Sequence, residues 1–336
     1  MHPRLIEIPY IHLTIWSFGP MMAFGFLMGL GLVRRLSRRA GLDWAVMLNA
    51  AMYCLIIGVV GARVFFVIHH FDLFRGNLPD VVAIWRGGLE FIGGVVPAIG
   101  VLLFYLHRHR QPIRRYLDVM AVGLMVGLAF GRIGCFLNGC CFGKPTHLPW
   151  GVRFPYRSYA YYSQVNANPL RNRPVAQLKL SPDYFSSLEN EGTGYLKSYE
   201  ELTAEQKTEV TTGKYRCLPV HPTQLYSSAG ALLMCLMLYL FWKRAQDIER
   251  SASPGRFLAK PGQTFSLALV MYGIGRFLIE LLRDDNPFEI GSMTVSQIMG
   301  LAILASGLVL LMALMTTRSD TFCRRISDSE PEEHEP

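Results

Sequence analysis

Charge is scarce in this chain: Asp, Glu, Lys and Arg make up 17% of its 336 residues while 51% are apolar. A soluble domain of this length would be richer in charge and would not gather its apolar residues into runs near the length of a membrane crossing. The formal net charge of +8 could suit nucleic acid, but the basic residues cluster at the ends of apolar runs. That is the pattern of membrane topology signals, and no nucleic-acid partner is expected. No Walker A loop, H-E-x-x-H, G-x-S-x-G or intramembrane HxxE pattern is present, which argues against the usual nucleotide, zinc-protease and serine-hydrolase chemistries. The absence of an internal repeat gives no support to an inverted-repeat transporter.

Cysteine is also sparse. The 7 present are too scattered for a disulfide scaffold. Cys54 and Cys235 lie in apolar runs and read as small buried hydrophobes, while Cys323 sits in a C-terminal basic segment. Cys140 and Cys141 are adjacent and form no C-x-x-C, and only Cys217 is a further candidate ligand outside the runs. Zinc is therefore disfavoured, and no metal or organic cofactor is expected. The charges Arg34, Arg35, Arg38 and Arg39 follow the first apolar run and no A-x-A-like site appears, so no cleavable leader is expected.

Seven apolar runs are present, near Leu13 to Val33, Val46 to His69, Leu89 to Tyr105, Leu117 to Phe136, Thr223 to Trp242, Thr264 to Leu282 and Met293 to Met315. They predict an all-α polytopic membrane protein with about seven transmembrane helices. Basic clusters at Arg34 to Arg39, Arg108 to Arg115, Lys243 to Lys260 and Arg318 to Arg325 place those loops in the cytoplasm, the N-terminus in the periplasm and the C-terminus in the cytoplasm. Residues 143–222 are the one long polar segment and fall on the outer side as a periplasmic loop or head. Within it Thr203 to Thr212 reads as a short helix, with Thr203 as cap and Gln206 in the reciprocal position. Four regions follow: residues 1–142 with four spans and half of a site, the head 143–222, residues 223–318 with three spans and the other half, and a disordered cytoplasmic tail over 319–336 that is acidic from Ser327 onward.

Four segments stand out, beginning at Trp85, Gly131, His221 and Tyr272, and the topology puts all four at the outer ends of spans. Arg132 and Arg276 lie inside apolar runs, where an unpaired cation costs ~2.5–3.5 kcal/mol on insertion scales. Each needs a partner or a wet cavity, and serves either a functional site or the pinning of helices. Glu280, four residues after Arg276, is its natural counter-charge. Two guanidinium groups at a membrane boundary suit a phosphodiester, and lipid headgroups are the phosphates found there. Gly131 and Gly134 suit either close ligand approach or helix packing. His221 could act as base, phosphate donor or helix cap, with Gln224 beside it, and Tyr226 and Tyr272 could touch ligand or anchor the interface. The same topology gathers Cys217 with Cys140 and Cys141 on the oxidising side, so a disulfide from Cys217 to one of them would clasp the outer segment; the alternative is three free thiols.

At these segments the chain resembles the prolipoprotein diacylglyceryl transferase family, from the first span to the last. The resemblance rests on "GAR" from Gly61, "W-x-GG" from Trp85 with Gly93 and Gly94, "GRIG-x-F-x-NG" from Gly131 with Gly143, "HP-x-QLY" from His221, and "YG-x-x-RF-x-x-E-x-x-R" from Tyr272. It implies an inner-membrane enzyme that moves the diacylglyceryl group of phosphatidylglycerol onto the lipobox cysteine of a prolipoprotein and releases glycerol phosphate, the first step of lipoprotein maturation. Its partners would be membrane lipid and the prolipoprotein signal peptide. By position, Arg132 and Arg276 match the family's essential arginines, Glu280 the acidic residue that follows the second, and Asn138, Gly139 and Gly143 its "NG" signature and closing glycine. The chain departs from the family at Phe24, Ile92, Cys135 and Cys140, where Tyr, His, Asn and Glu are common. Rival readings are a diverged lipid-binding protein without catalysis, and the same transfer to another acceptor.

Overall fold

A computed structural model describes residues 4–8, 13–76, 78–84, 87–189, 193–250, 260–289 and 291–316. Its elements run β1 (Arg4–Ile8), β2 (Leu13–Trp16), α1 (Phe18–Arg39), α2 (Trp44–His69), α3 (Phe91–Arg108), α4 (Ile113–Asn138), α5 (Tyr159–Val165), β3 (Phe185–Glu189), β4 (Thr193–Leu196), α6 (Ala204–Thr211), α7 (Thr223–Arg250), α8 (Gln263–Leu282) and α9 (Val295–Thr316). The expected tail, Cys323 and the basic segment from Arg318 to Arg325 lie outside the described residues, as does Trp85.

The protein is a multi-pass α-helical membrane protein, with helices at all seven expected positions. Five of them, α2, α4, α7, α8 and α9, are long and apolar enough to cross a membrane by length and composition. The expected count of seven is thus met in place but not in length and apolarity. In α1 the apolar stretch runs straight into Arg34, Arg35, Arg38 and Arg39, and α3 has only 18 residues with Pro97 inside it. Between 11% and 44% of each five-helix candidate span is buried, so apolar side chains face outward, as lipid requires and water would not tolerate.

The first span was expected from Leu13, but Leu13–Trp16 is a strand paired antiparallel with Arg4–Ile8. The cause is local: Ile6, Ile8, Thr14 and Ile15 are β-branched, and the helix starts only at Phe18, with Pro20 in its first turn where the missing amide costs nothing.

Two compact units divide the chain, residues 30–120 and the remainder. In the unit 30–120, α2 and α3 approach through small residues: a Cβ on Gly61 would stand 2.4 Å from the Gly93 carbonyl, and one on Gly94 would stand 2.8 Å from that of Gly58. Such contact leaves room for hydrogen alone. Arg63, two residues after Gly61 on α2, has its guanidinium caged by backbone: Nε donates to Val81 O at 2.8 Å, and the terminal nitrogens donate to Asp80, Gly87 and Gly88 carbonyls at 2.5, 2.6 and 2.9 Å.

In the other unit, Gly25 and Gly29 of α1 meet Gly127 and Gly123 of α4, and Gly273 of α8 meets Gly300 and Leu304 of α9. The polar segment carries its own core of Phe142, Phe154, Tyr161, Val165, Leu178 and Val220, with buried Cys217. Its helix α6 opens with the expected capping box between Thr203 and Gln206. The β3–β4 hairpin within it had no counterpart among the sequence expectations.

Candidate active site

Three chain segments meet where α4 ends. Gly139 (φ +77°) and Cys141 (φ +60°) take left-handed backbone just past Asn138, the last residue of α4, and reverse the chain as helix C-termini commonly do. Residues 142–144 then run between the segment leaving α8 and the segment entering α7. Lys144 N donates to Leu282 O at 2.8 Å and Asp284 N to Phe142 O at 3.2 Å, while Gly143 N donates to His221 O at 3.1 Å and His221 N to Lys144 O at 3.0 Å. Gly143 must be glycine: a Cβ there would lie 2.6 Å from His221 Cβ and 2.7 Å from its carbonyl oxygen. Thr223 Oγ1 donates to Cys141 O at 2.6 Å and Gln224 Nε2 to Cys140 O at 2.7 Å, fastening the loop to the start of α7.

Beside this junction lies an arginine–carboxylate cluster built around Glu280, whose side chain is fully buried. Arg276 stands 3.1 Å from Glu280 Oε2, one helical turn away, and also donates to Ser296 Oγ at 2.5 Å. Arg283 stands 3.7 Å from the same carboxylate oxygen and forms two parallel hydrogen bonds to Asp285 at 2.8 and 2.7 Å. Glu280 Oε1 accepts from Asn286 Nδ2 at 2.5 Å and from Thr294 Oγ1 at 3.1 Å. Thr294 caps α9 reciprocally with Gln297, so the start of that helix is tied to the carboxylate. Burial works against the Arg283 charge, but the Asp285 hydrogen bonds and the negative charges around it outweigh burial and hold its pKa above the ordinary value.

Arg132 makes no hydrogen bond or ion pair among the described residues, yet its charge acts on both Arg276 and Cys141. The guanidinium groups of Arg132, Arg171, Arg276 and Arg283 are linked here by charge with one another and with the carboxylates of Glu280 and Asp285, so positive charge is in excess. Asp284 is neutralised separately by Arg173 at 2.6 Å. An anion with several acceptor oxygens is the ligand this surplus suits. A cavity of about 440 Å³ opens here, lined in part by Cys140, Cys141, Tyr159, Arg173, Asp284 and Asp285.

The expected site residues divide by role. Arg276 and Glu280 form the cluster, and Arg132 is coupled to it by charge. Asn138, Gly139, Gly143 and Gln224 shape the loop beside it; the second amide atom of Gln224, Oε1, is buried without a partner. His221 Nδ1 faces Tyr226 Oη at 3.5 Å, and that hydroxyl accepts from Trp150 Nε1 at 2.7 Å, so Tyr226 belongs to a local aromatic contact. Tyr272 lies one turn before Arg276 on α8 and interacts with its charge. Gly93 and Gly94, expected to touch substrate, pack closely against α2 within the unit 30–120.

Arg283 was missed as a site residue although it closes the "E-x-x-R" of its own motif; Asn286, Thr294 and Ser296 sit in or next to an unpatterned turn and gave no signal. The expected clasp from Cys217 to Cys140 or Cys141 is not formed: all three are free thiols. Cys217 faces Gln164 Oε1 at 3.4 Å inside the core of the polar segment, where burial pushes its thiol up to about 11. Cys140 and Cys141 gather instead with Cys135, all three Sγ atoms within 4.8 Å of one another. Hydrogen bonds from Cys135 and Cys140, with the charges of Arg283 and Arg132, shift the Cys141 thiol downward against the effect of burial.

Fold and site together define a multi-pass membrane protein with a buried arginine–carboxylate cluster beside the junction of three helix ends. Comparison with known proteins narrows this: a family model described as prolipoprotein diacylglyceryl transferase matches residues 3–313, and the chain belongs to that family. It is 27% identical over 91% of its length to the phosphatidylglycerol--prolipoprotein diacylglyceryl transferase of Synechococcus elongatus, covering 85% of that protein. It is 25% identical over 92% to the one from Clostridium tetani, covering 96% of it, and 28% identical over 90% to the one from Rhodopirellula baltica, covering 72%.

Proposed function

We propose that this chain transfers the diacylglyceryl group of phosphatidylglycerol to the lipobox cysteine thiol of prolipoproteins. Family membership supports the reaction, and the single observation that carries the choice of site is the fully buried Glu280 holding Arg276 and Arg283. A cation pair sharing one carboxylate keeps donors and charge for a ligand, and its geometry is set before the ligand arrives.

In this reading Arg276 and Arg132 hold the lipid phosphate. The substrate thiol loses its proton, its sulfur bonds to the glyceryl carbon, and the carbon–oxygen bond to phosphate breaks. Glycerol phosphate leaves with one more negative charge than the phosphodiester carried, and the arginines stabilise that charge as it develops. Glu280 positions Arg276. A free thiol with pKa ~8.5 is already a few per cent thiolate at neutral pH, so the Ile92 that stands in place of the family's His is compatible with activation by arginine charge alone. The reading places the protein in the inner membrane with its N-terminus periplasmic and C-terminus cytoplasmic, and residues 143–222 as the head that receives the signal peptide, with the spans before and after it each supplying half of the site.

Complementation of a conditional transferase-depletion strain, supplied with a prolipoprotein native to the same organism, tests this. Rescue with disappearance of accumulated prolipoprotein is expected. Persistent accumulation at normal membrane levels of the protein would reject the transferase reading.

A further inference from the structure

We propose that Cys135, Cys140 and Cys141 form a three-thiolate site for a thiophilic d10 cation of the Cu(I) or Zn(II) kind, opening on the cavity beside the arginine cluster. The three Sγ atoms lie within 4.8 Å of one another and all three thiols are free. Around an ion bound at ~2.3 Å, thiolate sulfurs stand roughly 3.8–4.0 Å apart, so small side-chain rotations close the set. The trio itself is all sulfur, with no carboxylate among its members in the described residues, and sulfur selects soft cations.

The backbone is arranged to make this cluster. Cys135 ends one turn of α4, and the left-handed Gly139 and Cys141 turn the chain back across it. A non-glycine residue at φ +60° is strained and persists only where its surroundings hold it. Thr223 and Gln224 do so, through 2.6 and 2.7 Å hydrogen bonds to the Cys141 and Cys140 carbonyls. Three thiolates around a monovalent or divalent ion leave two or one negative charges, and the positive charges of Arg283 and Arg132 both act at Cys141. No fourth His, Cys, Asp or Glu joins the set among the described residues. The coordination is therefore trigonal, or completed by an exogenous donor entering from the cavity that Cys140 and Cys141 line. The sequence expectation against a metal rested on Cys217 as the third ligand; the fold supplies Cys135 instead.

Titration of the reduced, metal-free, full-length protein in detergent with Cu(I), and separately with Zn(II), against a chromophoric chelator tests the site without using turnover. One equivalent of at least one ion withheld from the chelator is expected, with three sulfur neighbours near ~2.3 Å by X-ray absorption. In the wild type that ion should also protect Cys140 and Cys141 from alkylation, read by peptide mass spectrometry. Cys141→Ser should weaken binding at least tenfold, and Cys217→Ser should leave it unchanged. Failure to retain either ion, equal retention by a folded Cys135→Ser/Cys140→Ser/Cys141→Ser variant, or a disulfide within the trio in protein isolated with free thiols blocked would each overturn the proposal.

Discussion

Arg63 and Arg276 both stand in apolar helices, one in each compact unit, and their surroundings treat the same side chain in opposite ways. Around Arg63 four backbone carbonyls accept its hydrogen bonds, and it forms no ion pair with a carboxylate among the described residues. That cation is 7% exposed and has few donors left to offer. Around Arg276 the partner is a carboxylate shared with a second arginine; neither Arg276 Nη1 nor Glu280 Oε2 completes a hydrogen bond despite lying 3.1 Å apart. A guanidinium saturated by carbonyls fixes a loop, whereas one held by a shared charge keeps capacity for an anion. The residue type marks both places as unusual, and the partner set separates scaffold from site.

Removing the shared carboxylate gives the sharpest contrast. Glu280→Ala leaves Arg276 and Arg283 without their common partner in a buried place, and a loss of roughly 3–5 kcal/mol in stability is expected, measured as thermal unfolding in detergent. An unchanged melting temperature would mean the two arginines are held by something else. Next in size, Arg276→Lys should lower turnover roughly 10²-fold, because a point ammonium cannot present paired donors to a phosphate. Its folded yield should stay close to wild type.

Arg63→Lys reverses the pattern. Loss of two or more carbonyl contacts should cost about 1–3 kcal/mol, while turnover per folded molecule stays near the wild-type value. A selective loss of turnover in that variant would break the distinction between the two arginines. Arg244→Lys, on the exposed stretch of α7, should change both quantities least, by less than about twofold in turnover, since that residue contributes charge and little else.

What was legible in the sequence follows the same division. Apolar runs place helices because length and composition alone decide them, and Arg276 with Glu280 could be paired because one helical turn relates them. Thr203 and Gln206 declared their cap for the same local reason. Partners set by folding at a distance were not legible. The carbonyls around Arg63 come from residues 80–88, Asn286 and Thr294 reach Glu280 from the turn between α8 and α9, and Cys135 joins Cys140 and Cys141 only because Gly139 reverses the chain. The close packing of Gly93 and Gly94 against Gly61 and Gly58 was not legible either, because it depends on two helices meeting. At Leu13 a local β preference overrode an apolar run that suggested helix.

The most direct measurement uses purified protein in detergent with acyl-labelled phosphatidylglycerol and a lipobox peptide from a prolipoprotein of the same organism. Diacylglyceryl-modified peptide and glycerol phosphate should appear in equal amounts with wild type and with Arg63→Lys, compared per folded molecule, and fall roughly 10²-fold with Arg276→Lys. Folded wild type that forms neither product, or Arg276→Lys working at the wild-type rate, would contradict a phosphate-holding arginine site in a transferase.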